Sequence, residues 1–231
     1  MAIEDGRVVA VAKLTVSSSR EAWLHGLRVH PAYRRRGIAT ALLEHRLARA
    51  RRLGARVARL DTSDDNLAIH RLMRRYGFRQ IARIAYYEAS AIEVDRPRTT
   101  DRSESDAVWR LMRGRVRMLY ESHFARTMVR EDVATAIGER RCVVIGPHGR
   151  PAAAALTQTV RGAHGSWLVA RVLAGSPTTM RKLLRALRGE AKAQRLSRAG
   201  IAAPSELWRL VTAAGYRRRW AETMLVSERR L

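Results

Sequence analysis

Arg34-Arg35-Arg36-Gly37-Ile38-Ala39-Thr40 gathers three guanidinium groups, a glycine and the first residues of a helix-spaced apolar run. Amides at a helix start have no intrahelical partner and carry the positive end of the helix dipole. With arginines beside them they suit an anion, above all a phosphate. Gly37 lets the main chain come close to such a ligand. Upstream, Glu21, Trp23 and His25 alternate along the chain, so a strand there puts all three on one face. The ordinary pKa range of a histidine suits His25 to proton removal near neutral pH, directly or through water. Glu21 is a second candidate base, and Trp23 packs or shapes the space beside them. Asn66, the chain's sole asparagine, either caps a following helix or touches a ligand.

Alternating and helical patterns supply the elements that must hold these residues. Met1–Ile3 and Arg7–Val16 read as strands joined at Asp5-Gly6, a hairpin pair. Glu21–Val29 is the strand that enters the arginine turn, and Pro31 closes it. A helix runs from about Ile38 to Leu53-Gly54, where the glycine suits a C-cap. Val57–Asp61 is a short buried strand, and Ser63-Asp64-Asp65-Asn66 opens a helix that ends at Gly77. Ile81–Ala91 forms the last strands of this half. Pro97 breaks the pattern and marks a boundary at 94/95. Beyond it, Ser103-x-x-Asp106 resembles a capping box for a helix through Trp109 and Met112. Further helices are expected at Glu131–Ile137, Thr179–Gln194 and Ser205–Ala213. Strands are expected from Cys142, at Ala152–Val160, Ser166–Leu173 and finally Trp220–Val226.

Two stretches carry a family resemblance. Arg34-x-x-Gly37-x-Ala39 closely resembles the acyl-CoA-binding signature of the GCN5-related N-acetyltransferases (GNAT). Asn66-Leu-Ala-Ile-His-Arg-Leu72-Met73-Arg-Arg-Tyr76-Gly77-Phe78 resembles the family's second signature. The resemblance implies an α/β fold built on a mixed sheet (α+β), and transfer of an acetyl group from acetyl-CoA straight to an amine. It implies that the backbone amides of Arg35 to Thr40, with the Arg34, Arg35 and Arg36 charges and the Thr40 hydroxyl, cradle the CoA pyrophosphate. Leu27 and Val29 would hold the pantetheine amides through their main chain, as if the cofactor were an added strand. An amide of the Leu27–Arg28 region would polarise the thioester carbonyl, and Asn66 would contact the pantetheine arm. His25 stands where some arylalkylamine-acetylating relatives have a catalytic histidine.

The sequence also departs from that family. Seven positions after Asn66, relatives often have a tyrosine that protonates the leaving thiolate; here it is Met73, which cannot donate. Tyr76 aligns with a residue that usually packs in the core. The family usually starts with a strand and two helices that wall the acceptor site, and this sequence starts at the hairpin. Either Met1 is not the native start, or the second half or another subunit, as in a homodimer, supplies that wall.

An internal repeat bears on that question. Ala22-Trp23-Leu-His-Gly-Leu-Arg-Val29 parallels Ser166-Trp167-Leu-Val-Ala-Arg-Val-Leu173, and Leu72 to Phe78 parallels Leu210 to Tyr216. In the second copy Ala174-Gly175-Ser176-Pro177 replaces the arginine turn, Pro204 stands at Asn66 and Val169 at His25. The expected architecture is two tandem GNAT-like domains, 1–94 competent for CoA and 95–231 degenerate, with phosphate bound once per chain.

Composition narrows the remaining classes. The formal charge is +24, and only Lys13, Lys182 and Lys192 among 45 basic residues are lysine. Heat adaptation and GC-rich codon usage both produce that bias. Such a charge attracts polyanions, including nucleic acid and acidic partners, yet the arginines are spread over the whole chain, as on a solvated basic surface. There is no apolar run long enough for a membrane span and no signal-peptide pattern, so the cytoplasm is the expected compartment. The lone Cys142 excludes an internal disulfide, and no serine or cysteine constellation suggests a covalent intermediate. His30, His45, His70 and His123 lack metal-ligand spacing. Two functions follow: an acetyl-CoA-dependent N-acetyltransferase of unread amine acceptor, or a non-catalytic module that senses CoA or docks on nucleic acid or ribosomes.

Overall fold

The computed structural model describes residues 1–120, 125–162 and 165–231. His123 lies outside them. Contacts group the chain into two compact units. The first runs from Met1 to Arg83, adds a short segment ending at Arg126, and takes in Met224–Leu231. The second runs from Ile84 to Thr223 around that segment. No helix among the described residues is long and apolar enough to cross a membrane.

In the first unit, β1 (Ala2–Glu4), β2 (Arg7–Ser18) and β3 (Glu21–Val29) form an antiparallel meander. Asp5 and Gly6 both take positive φ, 49° and 73°, as a tight primed hairpin turn requires. α1 (Ile38–Arg52) then crosses over to β4 (Val57–Ser63), which pairs with β3 in parallel. α2 (Leu67–Arg75) follows. The chain's last strand, Met224–Arg230, pairs antiparallel with β4, Met224 opposite Ser63 and Arg230 opposite Val57. That strand was expected at Trp220–Val226 and lies four residues later. Trp220 belongs to the preceding turn, where its ring meets Tyr86 edge-on and stacks on Arg219. Leu24, Ala58 and Leu60 from the strands and Leu43, Leu47, Met73 and Phe78 from the helical side make the core. Met73 is therefore a packing residue, 5% exposed.

In the second unit, the residues from Ile84 to Ser90 of the strand Arg79–Ser90 pair with Arg198–Pro204. The ladder continues through Gly165–Gly175, Ala153–Gly162, Cys142–Ile145 and Arg98–Thr99. The helix Pro177–Ala193 packs Leu183, Leu184 and Leu187 against the alanines of these strands on one face. Helices Ser105–Met112 and Arg130–Gly138 cover part of the other face with Val108, Met112, Val133 and Ile137. The Ser103-x-x-Asp106 capping box does not form. Asp101 caps a short 3₁₀ turn instead by accepting from the Ser103 amide at 2.9 Å, and Asp106 pairs with Arg130. The Ser103 hydroxyl donates to the same carboxylate, a strong charge-assisted acceptor, instead of capping the helix.

The two units repeat one plan. β2, β3, α1, β4 and α2 correspond to Ala153–Gly162, Gly165–Gly175, Pro177–Ala193, Arg198–Pro204 and Trp208–Ala213. Both long hairpins carry one extra residue at the same place. Gly26 and Leu27 together oppose Ala12, just past Trp23, and Arg171 is the extra residue just past Trp167.

Candidate active site

The bulge in β3 starts from Gly26, whose φ of +65° is left-handed and suits glycine. It bends the strand where a cleft is needed. The parallel ladder between β3 and β4 runs only over Glu21–Val57, Ala22–Ala58 and Trp23–Arg59. Past Trp23 the two strands have no ladder bonds, so the edge of β3 away from β2 is left open from Leu24 to Val29. Leu27 O accepts from Arg28 Nη1 at 3.0 Å and Val29 O from Arg34 Nε at 3.4 Å. Both are exposed side chains that can move aside.

At the end of β3, Pro31–Tyr33 makes one 3₁₀ turn and the chain swings into α1. Arg35 and Gly37 take φ of 67° and 78°. Gly37 is the N-cap, and no side chain caps the helix. The first helical bond is Ala41 N to Gly37 O at 3.0 Å, so the amides of Ile38, Ala39 and Thr40 point out of the helix start. A Cβ placed on Gly37 would meet nothing within 4 Å, so this side of the turn is open. Arg34, Arg35 and Arg36 are all exposed, and the first turn holds no acid. Arg36 pairs with Glu4 at 2.9 Å and stacks over Tyr33. Arg46 fixes the helix to the sheet. Buried on α1, it donates to Lys13 O on β2 at 3.3 Å. Burial lowers its pKa to about 10, which leaves it charged at neutral pH.

The counterpart turn in the second unit is closed to an anion. Ser176 caps its helix by accepting from the Thr179 amide at 3.3 Å, and Pro177 removes a donor from the first turn. Thr179 Oγ1 turns back to Ala152 O at 3.0 Å. A Cβ on Gly175 would come within 2.8 Å of that hydroxyl.

Glu21, Trp23 and His25 share one face of β3, with Arg59 opposite Trp23. Glu21 is buried and its Oε2 lies 2.8 Å from Arg59 Nη1; Arg59 Nε donates to Glu228 Oε2 on the last strand at 3.0 Å. Glu21 thus works inside a buried ionic chain. His25 is half-buried, and its Nε2 lies 2.9 Å from Thr15 Oγ1. The Trp23 ring is buried, and its Nε1 has no hydrogen-bond acceptor among the described residues. The sequence reading missed Asp61. It stands two residues past Arg59 on the same face of β4, level with the gap. Burial pushes its carboxyl pKa up, against the opposing pull of a backbone hydrogen bond.

Asn66 caps α2. Its Oδ1 accepts from the Ile69 amide at 3.4 Å and its Nδ2 donates to Thr62 Oγ1 at 3.1 Å. Tyr76 hydrogen-bonds Glu44 on α1, which raises its pKa. Cys142 is buried in the second unit, where burial pushes its thiol pKa up to about 11. Asp101, Glu104 and His148 cluster there too, but Arg98 already holds Glu104 through both guanidinium nitrogens.

Residues 1–78 match the model of the acetyltransferase (GNAT) family. No curated protein matches. Solved structures match over nearly the whole chain. A GCN5-related N-acetyltransferase from Sphaerobacter thermophilus superimposes with a TM-score of 0.69 at 17% identity, covering 98% of this chain and 78% of that one. A putative acetyltransferase from Thermoplasma acidophilum gives 0.64 at 18%, covering 100% and 77%. A tandem GNAT protein from the clavulanic acid biosynthesis pathway gives 0.60 at 14%, covering 99% and 81%. At these identities the likeness is one of fold: the mixed α/β fold of these GNAT-type structures extends over nearly the whole chain.

Proposed function

We propose that this chain, whose residues 1–78 form a domain of the acetyltransferase (GNAT) family, is an acetyl-CoA-dependent N-acetyltransferase with one working site, in its first unit. The family supports acetyl transfer in general; the amine acceptor and direct attack are our reading. The observation that carries it is the uncapped start of α1, beside three arginines and at the end of the β3–β4 gap. These groups fit a pyrophosphate followed by a pantetheine arm. The amides of Arg35 to Thr40 would hold the phosphates, with the Arg34, Arg35 and Arg36 charges around them. The main chain of Leu27 and Val29 would pair with the arm across the gap. Acetyl-CoA brings the activated acyl group. The Leu27 N–H, in the bulge, would donate to the carbonyl oxygen as negative charge develops there.

An amine must lose its proton to attack. His25 is the base we assign, held by Thr15, with Asp61 as a second acceptor farther along the face. Glu21, the second candidate base by sequence, is given a structural task here because it neutralises Arg59. Asn66 holds α2 in place, with a pantetheine contact left to its outer edge. Met73 and Cys142 are buried and take no part; the leaving thiolate collects its proton from solvent or from the base.

The test is calorimetric titration of the full chain with acetyl-CoA, using Gly37→Glu as the control. Binding that drops at least tenfold in the variant supports the reading. No heat with the native chain, or equal affinity in the variant, refutes it. A panel of amine acceptors then reads turnover by thiol release.

A further inference from the structure

We propose that the sheet face of the second unit around Trp167, Arg219 and Trp220 is a docking platform for single-stranded nucleic acid. The residues form a layered stack. The Arg219 guanidinium lies 4.9 Å from the ring centroid of Trp167 and 4.9 Å from that of Trp220. Trp220 continues the layer to Tyr86, ring centroids 4.8 Å apart at 63°. The sheet makes room for it. A Cβ on Gly162 would come within 2.7 Å of the Trp167 ring, and one on Gly200 within 3.7 Å. Helices Ser105–Met112 and Arg130–Gly138 pack over other strands of this face and leave Trp220 47% exposed.

Charge selects the partner. Among the described residues, Glu88 is the carboxylate paired with this cluster, within 3.2 Å of Arg198, 3.5 Å of Arg217 and 3.9 Å of Arg219. Three guanidiniums around one carboxylate leave a positive excess, and Arg217 is 82% exposed. Phosphates would meet these arginines while a base stacks on the exposed part of the Trp220 ring. A duplex keeps its bases stacked on each other and cannot use that face. An acidic peptide would use the arginines and leave the indole idle. The platform is independent of the acetyl-CoA site, whose residues all lie in the first unit.

The experiment is fluorescence anisotropy of a labelled twelve-nucleotide oligouridylate with the full chain at ~50 and ~200 mM salt. The native chain should bind, more weakly at the higher salt. Trp220→Ala should lose roughly tenfold in affinity at both salts, the scale of one lost base stack, while Trp220→Phe keeps most of it. Arg181→Ala, on the helix Pro177–Ala193, should change affinity only slightly. Acetyl-CoA affinity and Tm should be the same in all variants, which separates this proposal from the acetyltransferase reading and from misfolding. If Trp220→Ala does not fold, quenching of tryptophan emission by the oligonucleotide, present in the native chain and reduced in Trp220→Phe, replaces it. No binding at ~50 mM salt, equal losses in Trp220→Ala and Arg181→Ala, or a duplex bound as tightly as the single strand would each overturn the platform.

Discussion

His25, Asp61 and Glu21 occupy one face, yet their surroundings assign them different work. His25 faces a hydroxyl, Asp61 is burdened by desolvation, and Glu21 is neutralised by Arg59. His25→Gln should lower kcat/KM by roughly 10²–10⁴-fold, and flatten the lower limb of its pH profile. Glu21→Gln should leave that profile in place and instead lower stability by roughly 1–3 kcal/mol, because the buried Arg59 loses a charged partner. Denaturant unfolding beside a pH–rate curve distinguishes the two outcomes. Asp61 makes a signed prediction. Its folded pKa lies above its unfolded value, so ionisation costs stability, and stability falls as pH rises from below the unfolded value through the folded one. Asp61→Asn should therefore raise Tm at pH 7 by a few degrees relative to the native chain. The gain should vanish below about pH 4, where the native carboxyl is protonated in both states. Of these three, sequence alternation found His25 and Glu21 on one face, while only the fold placed Asp61 beside them.

At the scale of elements, the arginine turn and the bulge decide where a ligand can sit. The helix start was legible because glycine, arginine and a helical pattern are adjacent in the chain. The bulge at Gly26 was not, since a register shift is defined by the partner strand. Gly37→Ala meets no steric clash but forces an alanine to φ near 78°, which should cost about 1 kcal/mol and weaken acetyl-CoA binding. Placing alanine instead at Gly138, which has no positive φ and an open Cβ direction, should change neither quantity, as thermal unfolding and calorimetry would read. Local hydrogen bonding explains one misplaced cap: the Ser103 hydroxyl and amide both donate to Asp101 Oδ1, so Ser103 is not free to cap the helix.

At the scale of the molecule, the first unit is discontinuous in sequence. The strand Met224–Arg230 pairs along the whole of β4, and Arg59 reaches Glu228 across 169 positions. Deleting residues 224–231 should leave β4 without that ladder and strip Arg59 of Glu228. We expect loss of acetyl-CoA binding and early hydrogen exchange in β3 and β4, with the protected amides of the second unit kept; unchanged binding would refute this. The sequence by itself determined the things that short-range chemistry governs: the hairpin at Asp5-Gly6, the arginine turn, the cap at Asn66, the alternating face of β3 and the repeat that lost its arginines. Those follow from dihedral preference, capping and periodicity, each written in adjacent residues. The tertiary structure alone decided which strand completes the first unit, where β3 and β4 part, that Glu21 is neutralised and that Asp61 joins the face. Each of these is a meeting of groups far apart in the chain, set by packing and burial, for which no adjacent residues carry a signal.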